Sequence, residues 1–188
     1  MSKVLNVLPK NVPDNYFDYA AGYYETCLKL IDTLLDEKRY SELSRLSEAF
    51  RTESIRLEEE YYIYPIVFLF RQYIELIIKA LYLHFDIAND KNYYNAKKEL
   101  FQNHKISELW PGIIKILKEK ESEEDDGLLI EILDAIVKKV ISLDDNSTFF
   151  RFPTDKTLNP YFKENKEYDI NEIRNDLTEF DNLIHEYL

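Results

Sequence analysis

The chain has 188 residues and a formal net charge of −12 at pH 7, from 24 basic and 36 acidic side chains. Its length suits a single domain with a hydrophobic core, and its 45% of hydrophobic residues excludes an intrinsically disordered protein. The acidic balance excludes a broad basic surface for nucleic acid, and the single cysteine, Cys27, excludes an intramolecular disulfide or a cysteine-based zinc cluster.

The first 13 residues contain two prolines and no hydrophobic period, so we expect an extended N-terminal arm on one helical domain spanning residues 1–188. The arm lacks the apolar run of a signal peptide, which together with the single cysteine indicates a cytoplasmic protein. A first helix is predicted to start at Asp14 or Asn15, both good N-caps, and to end near Glu37 to Tyr40. Its inner face is marked by residues at helical spacing: Phe17, Ala20, Ala21, Tyr24, Leu28, Ile31 and Leu35.

A second helix is predicted to follow Ser41, which is suited to cap it. This helix is expected on the surface, because its apolar stripe is narrow and its other face is charged. The stripe consists of Leu43, Leu46, Phe50 and Leu57. Proline is accepted in the first turn of a helix and costly in its interior, so a helix start or a kink is expected within Tyr61 to Pro65.

The stretch from Pro65 to Phe85 is apolar on nearly every side, so it is predicted to be a buried central helix. A membrane span needs ~20 apolar residues with few charges, and Arg71, Glu75 and Lys79 interrupt this stretch. We therefore expect a soluble bundle with no membrane partner. The three charged residues recur at i, i+4 and i+8 and share one face. Because unpaired buried charge is very costly, other parts of the chain must supply partners for this face.

A polar connection is predicted from Asp86 to Asn103, with a short helix around Tyr94 to Phe101 inside it. The next helix is predicted from His104 to Lys120. Pro111 is expected in the first turn of that helix, where its missing N–H costs nothing.

An acidic segment from Glu121 to Asp126 is predicted to be a solvated loop. Ser122 and Asp125 have the spacing of a capping box, and Asp126 is another candidate cap for the following helix. That helix carries a strong apolar stripe from Leu129 to Leu143.

Residues 144–170 break the helical rhythm. Phe149 to Phe152 are predicted as a short strand, pairing with Glu167 to Ile170. A last helix is capped by Asp169 or Asn171. Its face is formed by residues at helical spacing: Ile173, Leu177, Phe180, Ile184 and Leu188. The predicted fold is all-α, an up-and-down helical bundle with a small irregular or β-hairpin segment near residues 149–170.

The candidate site begins at Arg71 and Glu75 on the central helix. Arginine four residues before glutamate is the weaker orientation for a pair within a helix, which leaves the guanidinium freer to bind a carboxylate of the 144 loop. His104 is a candidate acid or base, since the pKa of histidine moves easily across neutrality. The alternatives stay open: an ion pair within the helix, and a histidine that only packs at a helix start.

The loop after the predicted helix that ends at Leu143 holds the remaining candidates. Arg151 stands between aromatic residues, an arrangement that presents one guanidinium to a carboxylate or phosphate. Asp144, Ser147 and Asp155 are the candidate ligand-binding residues of this loop. The alternative is a loop held to the bundle by aromatic burial and an arginine–aspartate pair. We expect these groups to lie together, with Arg71 and Glu75 facing the loop from Asp144 to Arg151 and His104 at the pocket edge.

Motifs for metal and nucleotide chemistry are absent from the sequence. There is no HExxH, phosphate-binding GxxxxGK[ST], GxGxxG or serine elbow, and no Glu-x-x-His pair of a di-iron bundle. We therefore predict no metal and no cofactor.

Three segments taken together, FRQYIELIIKALYL, HKISELW and DDNSTFFRFPTDK, resemble one branch of the HEPN superfamily. These are small α-helical bacterial proteins, many encoded in toxin–antitoxin or abortive-infection loci. The likeness covers about residues 61–188 and implies a helical bundle that often dimerises. Active members are metal-independent ribonucleases whose arginine and histidine lie four to six residues apart on one helix. Here Arg71 is too far from His84 and Arg174 from His185, so ribonuclease activity does not follow from the motif.

Two classes of function remain. The first is a HEPN-like protein of a bacterial conflict system that acts on RNA or a nucleotide, with Arg71 and Arg151 holding phosphate and His104 moving a proton. The second is a non-catalytic interaction or regulatory module, for instance with an antitoxin-type protein partner, whose polar cluster only sets packing. A homodimer is expected for either class, from the resemblance and from the apolar surplus of Tyr61 to Leu83.

Overall fold

A computed structural model describes residues 12–36, 59–86, 101–120, 127–162 and 166–188. These residues form five α-helices: α1 (Val12–Leu35), α2 (Ile63–Asp86), α3 (Ile106–Lys118), α4 (Leu128–Asp144) and α5 (Ile170–His185). A 3-10 helix, Glu59–Tyr62, precedes α2. The described residues contain no strand, and one isolated antiparallel bridge joins Thr154 to Pro160. The predicted all-α helical bundle is confirmed.

Helix α2 is the centre of the bundle, as its apolar composition predicted. It packs against α1, α3 and α4. Pro65 is the third residue of α2, in the first turn, so the expected helix start within Tyr61 to Pro65 is confirmed. Most apolar residues of α2 are buried inside one chain, which removes the apolar surplus as a reason for self-association. No helix among the described residues is both long and apolar enough to cross a membrane.

Helix α1 starts and ends earlier than predicted. It begins ahead of Pro13, which is accepted in a first turn, and it ends at Leu35, after which no apolar residue follows until Tyr40. Ala20, Cys27 and Ile31 are its buried residues, whereas Ala21 and Leu35 are exposed and do not belong to the inner face.

Helices α3 and α4 bury the predicted stripes but differ at their starts. Pro111 is the sixth residue of α3, not part of its first turn. Its missing N–H leaves the carbonyl of Ser107 without a helical partner, and both residues are exposed, so water can satisfy that carbonyl. The N-cap of α4 is Gly127, at φ 71°, and not Ser122 or Asp126. Glycine is suited to this left-handed backbone.

Phe149 to Phe152 form turns, and the described residues between α4 and α5 contain no strand, so the predicted strand is wrong and the irregular alternative is correct there. Asp169 caps α5 as predicted, accepting from the N–H groups of Asn171 and Glu172. Leu188 lies beyond the end of α5 and is exposed, so it is not part of the inner face.

Several predictions concern residues outside the described ranges. They are the N-terminal arm up to residue 11, the surface helix after Ser41, the acidic loop at 121–126, and most of the short helix at 94–101.

Candidate functional site

The charged face of α2 lies inside the bundle. Arg71, Glu75 and Lys79 stand on successive turns and are 0%, 1% and 3% exposed. The carboxylate of Glu75 forms an ion pair with Arg71 through one oxygen. Its other oxygen, Oε1, lies 2.5 Å from Nζ of Lys79, which also donates to the backbone carbonyl of Phe101 at 3.2 Å. No buried side-chain nitrogen or oxygen in the described part of the chain lacks a hydrogen-bond partner.

The guanidinium of Arg71 joins three segments of the backbone. Nε donates to the carbonyl oxygen of Asp144 at 3.3 Å, and Nη2 donates to that of Asp145 at 3.0 Å. Nη2 also donates to the carbonyl of His104. Arg71 therefore connects α2 to the end of α4 and to the residues before α3. The prediction that Arg71 and Glu75 face the loop beginning at Asp144 is confirmed at Arg71.

His104 lies at the edge of this cluster, as predicted. Its Nδ1 is 2.9 Å from Oε1 of Glu75, and its side chain is 65% exposed. Nε2 makes no hydrogen bond to the described protein groups. Burial alone raises the pKa of Glu75, but the charges of Arg71 and Lys79 outweigh it, so that the pKa lies below its usual value. Glu75 is therefore an anion at neutral pH, shared by three side chains.

Two adjacent aspartates hold the loop to the helices. The buried Asp144 carboxylate accepts from the N–H of Thr148 at 2.9 Å and of Phe150 at 3.3 Å, closing the turn after α4. The Asp145 carboxylate accepts from the N–H of Ser107 at 2.8 Å and its hydroxyl at 2.7 Å. Asp145 thus satisfies orphan donors at the start of α3, whose own N-cap, Lys105, makes no side-chain cap.

The remaining candidate residues are not brought into the cluster. Arg151 is exposed, with Cζ 5.1 Å from the ring centroid of Phe152. Ser147 lies in a turn at φ 58°. Asp155 accepts hydrogen bonds from Thr157 and Asn159, which lower its pKa to about 2. Among the described contacts none joins Arg151 to Arg71, and the Asp155 carboxylate binds groups of its own turn.

Sequence reasoning named Asp145 only as part of the 144 loop, and it missed both the pairing of Asp145 with Ser107 and the position of Tyr16. Asp145 and Ser107 are 38 positions apart, and no local pattern connects them. Tyr16 of α1 has its pKa raised by burial and by the negative charge of Glu75. Its helical spacing with Ala20, one turn on, is the signal that places it on the inner face.

The chemistry open to this arrangement is limited. Among the described residues no group of histidine, cysteine and carboxylate side chains could hold a metal ion. Arg71 and Lys79 are buried on protein acceptors, and His104 is the exposed member of the cluster. Comparisons with models of known protein families, with characterised proteins and with solved structures find no match for the chain. The HEPN resemblance stays a prediction, and the function has to be argued from the site itself.

Proposed function

We propose that this protein is a non-enzymatic interaction module in which the Arg71 cluster is a structural clamp. The observation that carries this proposal is the state of the Arg71 guanidinium. It is 0% exposed and donates to Glu75 and to three backbone carbonyls. An arginine engaged in this way has no face to offer a phosphate, which is the role that an RNA-cleaving site requires of it.

The structural role of the Arg71 cluster is to bind backbone carbonyls from two other parts of the chain. The carbonyls of Asp144 and Asp145 lie at the C-terminal end of α4, where backbone acceptors lack helical partners, and the carbonyl of His104 lies just before the N-cap of α3. One guanidinium satisfies all three, and Glu75 balances its charge inside the bundle. The cluster therefore fixes the relative positions of α2, α3 and α4 around the loop that follows Asp144.

The kind of cellular system in which the protein acts is inferred from the HEPN resemblance and from the net charge. The HEPN-like order of segments supports a place in a bacterial conflict or toxin–antitoxin-like system. The net charge of −12 opposes broad binding to RNA. We therefore infer the regulatory half of such a system, which acts by binding a protein partner.

One specific observation favours a second candidate, acid–base chemistry on RNA or a nucleotide at His104. A buried carboxylate at 2.9 Å from Nδ1 fixes the ring of an exposed histidine, which is how enzymes orient a general base. This candidate lacks a phosphate-holding cation in the cluster, because Arg71 and Lys79 are both engaged.

Activity assays on variants at two histidines separate the candidates. Wild type, His104→Ala and His185→Ala are incubated with structured RNA and with ATP, without added metal. His185 is a matched control, because it is 66% exposed and its Nδ1 also faces an aspartate, lying 2.7 Å from the carbonyl oxygen and 3.8 Å from the carboxylate of Asp181. The interaction module predicts the same background turnover for all three. Turnover that His104→Ala alone abolishes would establish the second candidate instead.

A further inference from the structure

Asn146 is followed by a serine in the exposed turn directly after α4. The chain contains no asparagine followed by glycine, and Asn146–Ser147 is its only asparagine followed by serine. A small residue after asparagine lets the next backbone nitrogen reach the side-chain carboxamide, and asparagine is among the thermolabile residues of proteins. The sequence therefore marks this pair as a candidate for deamidation.

Both reacting groups of this pair are available in the folded protein. Asn146 is exposed, and among the described contacts its carboxamide makes no hydrogen bond. The backbone N–H of Ser147 donates to no described protein group either. The next N–H along the chain differs, because that of Thr148 donates to the Asp144 carboxylate at 2.9 Å. The nitrogen that attacks and the carbon that it attacks are thus both unbound.

The reaction is an intramolecular substitution followed by hydrolysis, and its only co-reactant is water. The Ser147 nitrogen loses its proton to solvent and attacks Cγ of Asn146, the carboxamide nitrogen leaves as ammonia, and a cyclic imide forms. Attack of water at Cγ then gives aspartate. Attack at the backbone carbonyl carbon gives isoaspartate, in which the main chain runs through the former side chain. The Thr148 hydroxyl donates to that backbone carbonyl at 3.2 Å, which polarises it and favours isoaspartate.

The turn around Asn146 is closed by hydrogen bonds that fix its length. The buried Asp144 carboxylate lies on one side of Asn146, and the N–H groups of Thr148 and Phe150, from which it accepts, lie on the other. Isoaspartate adds one methylene group to the main chain inside this closed turn. The carbonyls at the end of α4 that the Arg71 guanidinium binds lie directly before it. A longer backbone here therefore acts on the Arg71 cluster.

We propose that Asn146 is a deamidation site whose isoaspartate product opens the turn after α4 and loosens the Arg71 clamp. This inference rests on the proposed function of the clamp and names a covalent change that weakens it with time. The product also carries a new carboxylate next to Asp144 and Asp145, so the experiment separates the effect of the charge from that of the methylene group.

The site is tested by ageing the full-length protein at pH 7. Peptide mapping separates the asparagine, aspartate and isoaspartate forms by chromatography and identifies them by mass spectrometry. Asn146 should react before any other asparagine of the described ranges. Ser147→Gly suits the left-handed backbone at φ 58° and should shorten the half-life of Asn146. Asn159 is the internal control, because it precedes proline, which has no N–H to attack Cγ.

The effect on the clamp is tested by urea denaturation of the deamidated fraction, isolated by anion exchange. Its urea midpoint should lie about 0.5 M below that of fresh wild type. Asn146→Asp carries the charge without the methylene group, so its midpoint should stay closer to that of fresh wild type. Asn146→Gln forms the imide far more slowly. It is the control for other ageing damage, and its midpoint should not change on ageing.

Other outcomes overturn the inference. Earlier deamidation at another described asparagine, or an Asn146 that reacts in urea but not in the folded protein, would show that the turn protects this site. A deamidated fraction with the same midpoint as Asn146→Asp would show that isoaspartate does not open the turn. None of these results produces His104-dependent turnover, which is the outcome that contradicts the proposed function.

Discussion

Arg71 on the central helix donates its Nε–H to the carbonyl of Asp144, a residue 73 positions later, at 3.3 Å. The contact joins the middle of α2 to the last residue of α4. The buried Arg71 guanidinium has four acceptors in all, and the Asp144 carbonyl is one of them. The cluster around Arg71 supplies the partners of the buried charges on the central helix.

Removing this guanidinium is expected to destabilise the fold. Arg71→Met takes one of two cations from buried Glu75, which keeps Lys79. It also removes the donor of the His104 and Asp144 carbonyls, whereas the Asp145 carbonyl still accepts from the Ile106 N–H at 3.3 Å. The free energy of unfolding should therefore fall by about 3–5 kcal/mol. Urea denaturation measures this. Arg174→Met is the control, because its 2.9 Å ion pair with Asp32 is largely exposed, and a pair of that kind is worth less than about 1 kcal/mol. Equal losses in the two variants would mean that the cluster is not a clamp.

The lowered pKa of Glu75 predicts a pH dependence of stability. A carboxyl group with a depressed folded-state pKa stabilises above its unfolded pKa, about 4.3, and the stabilisation is lost as pH falls through the folded value. Glu75→Gln should therefore be less stable than wild type at pH 7, and the difference should shrink below about pH 4. Comparing the two proteins in urea from pH 3 to 7 removes the contribution of other carboxyl groups. A difference that grows towards acid pH would contradict this assignment.

Asp145 should matter for the start of α3 more than for the whole bundle. Asp145→Ala removes the acceptor of the Ser107 N–H and hydroxyl, at an expected cost of about 1 kcal/mol, the usual value of a helix cap. Hydrogen exchange should show faster exchange of the Ser107 amide, with little change in the middle of α2. Asp145→Asn, which keeps an acceptor oxygen, is expected to recover part of the protection.

Gly112 is predicted to be required for close packing of α3 on α2. A Cβ at this position would lie 1.8 Å from Oη of Tyr82, whose hydroxyl donates to the Leu109 carbonyl at 2.8 Å. Gly112→Ala should lower stability by about 1–3 kcal/mol, although alanine is the better helix former. Adding Tyr82→Phe removes the clashing oxygen, so the double variant should lose less than the sum of the single losses. Strict additivity in thermal unfolding would show that the contact is not limiting.

The central helix and its partners were predicted from the sequence for two reasons that agree: the helical periodicity of the charged residues, and the free-energy cost of burying a charge without a partner. Arg71, Glu75 and Lys79 repeat on one face of an apolar helix, and buried charge must find partners. This requirement predicted contacts with the loop at Asp144 and with His104. It could not predict that the partners would be backbone carbonyls, because carbonyls are common to all residues.

Other features depend on distant contacts or on solvent exposure. The strand expected at Phe149 to Phe152 is replaced by turns, because the Asp144 carboxylate binds the N–H groups of Thr148 and Phe150. The sequence pattern of Arg151 between aromatic residues does not determine whether the guanidinium points inward or to solvent. The N-cap of α4 is Gly127, at φ 71°, and not the expected Ser122 or Asp126; glycine adopts this left-handed backbone without strain.

The claim that Arg71 is a clamp and not a ligand-binding group is tested most directly by NMR of its side-chain Nε–H. In wild-type protein at pH 7, with RNA or inorganic phosphate titrated in, the account predicts a slowly exchanging resonance whose chemical shift does not move. Arg151, exposed beside Phe152, provides the internal comparison and should exchange rapidly. Rapid exchange at Arg71, or a shift that saturates with added RNA or phosphate, would contradict the account.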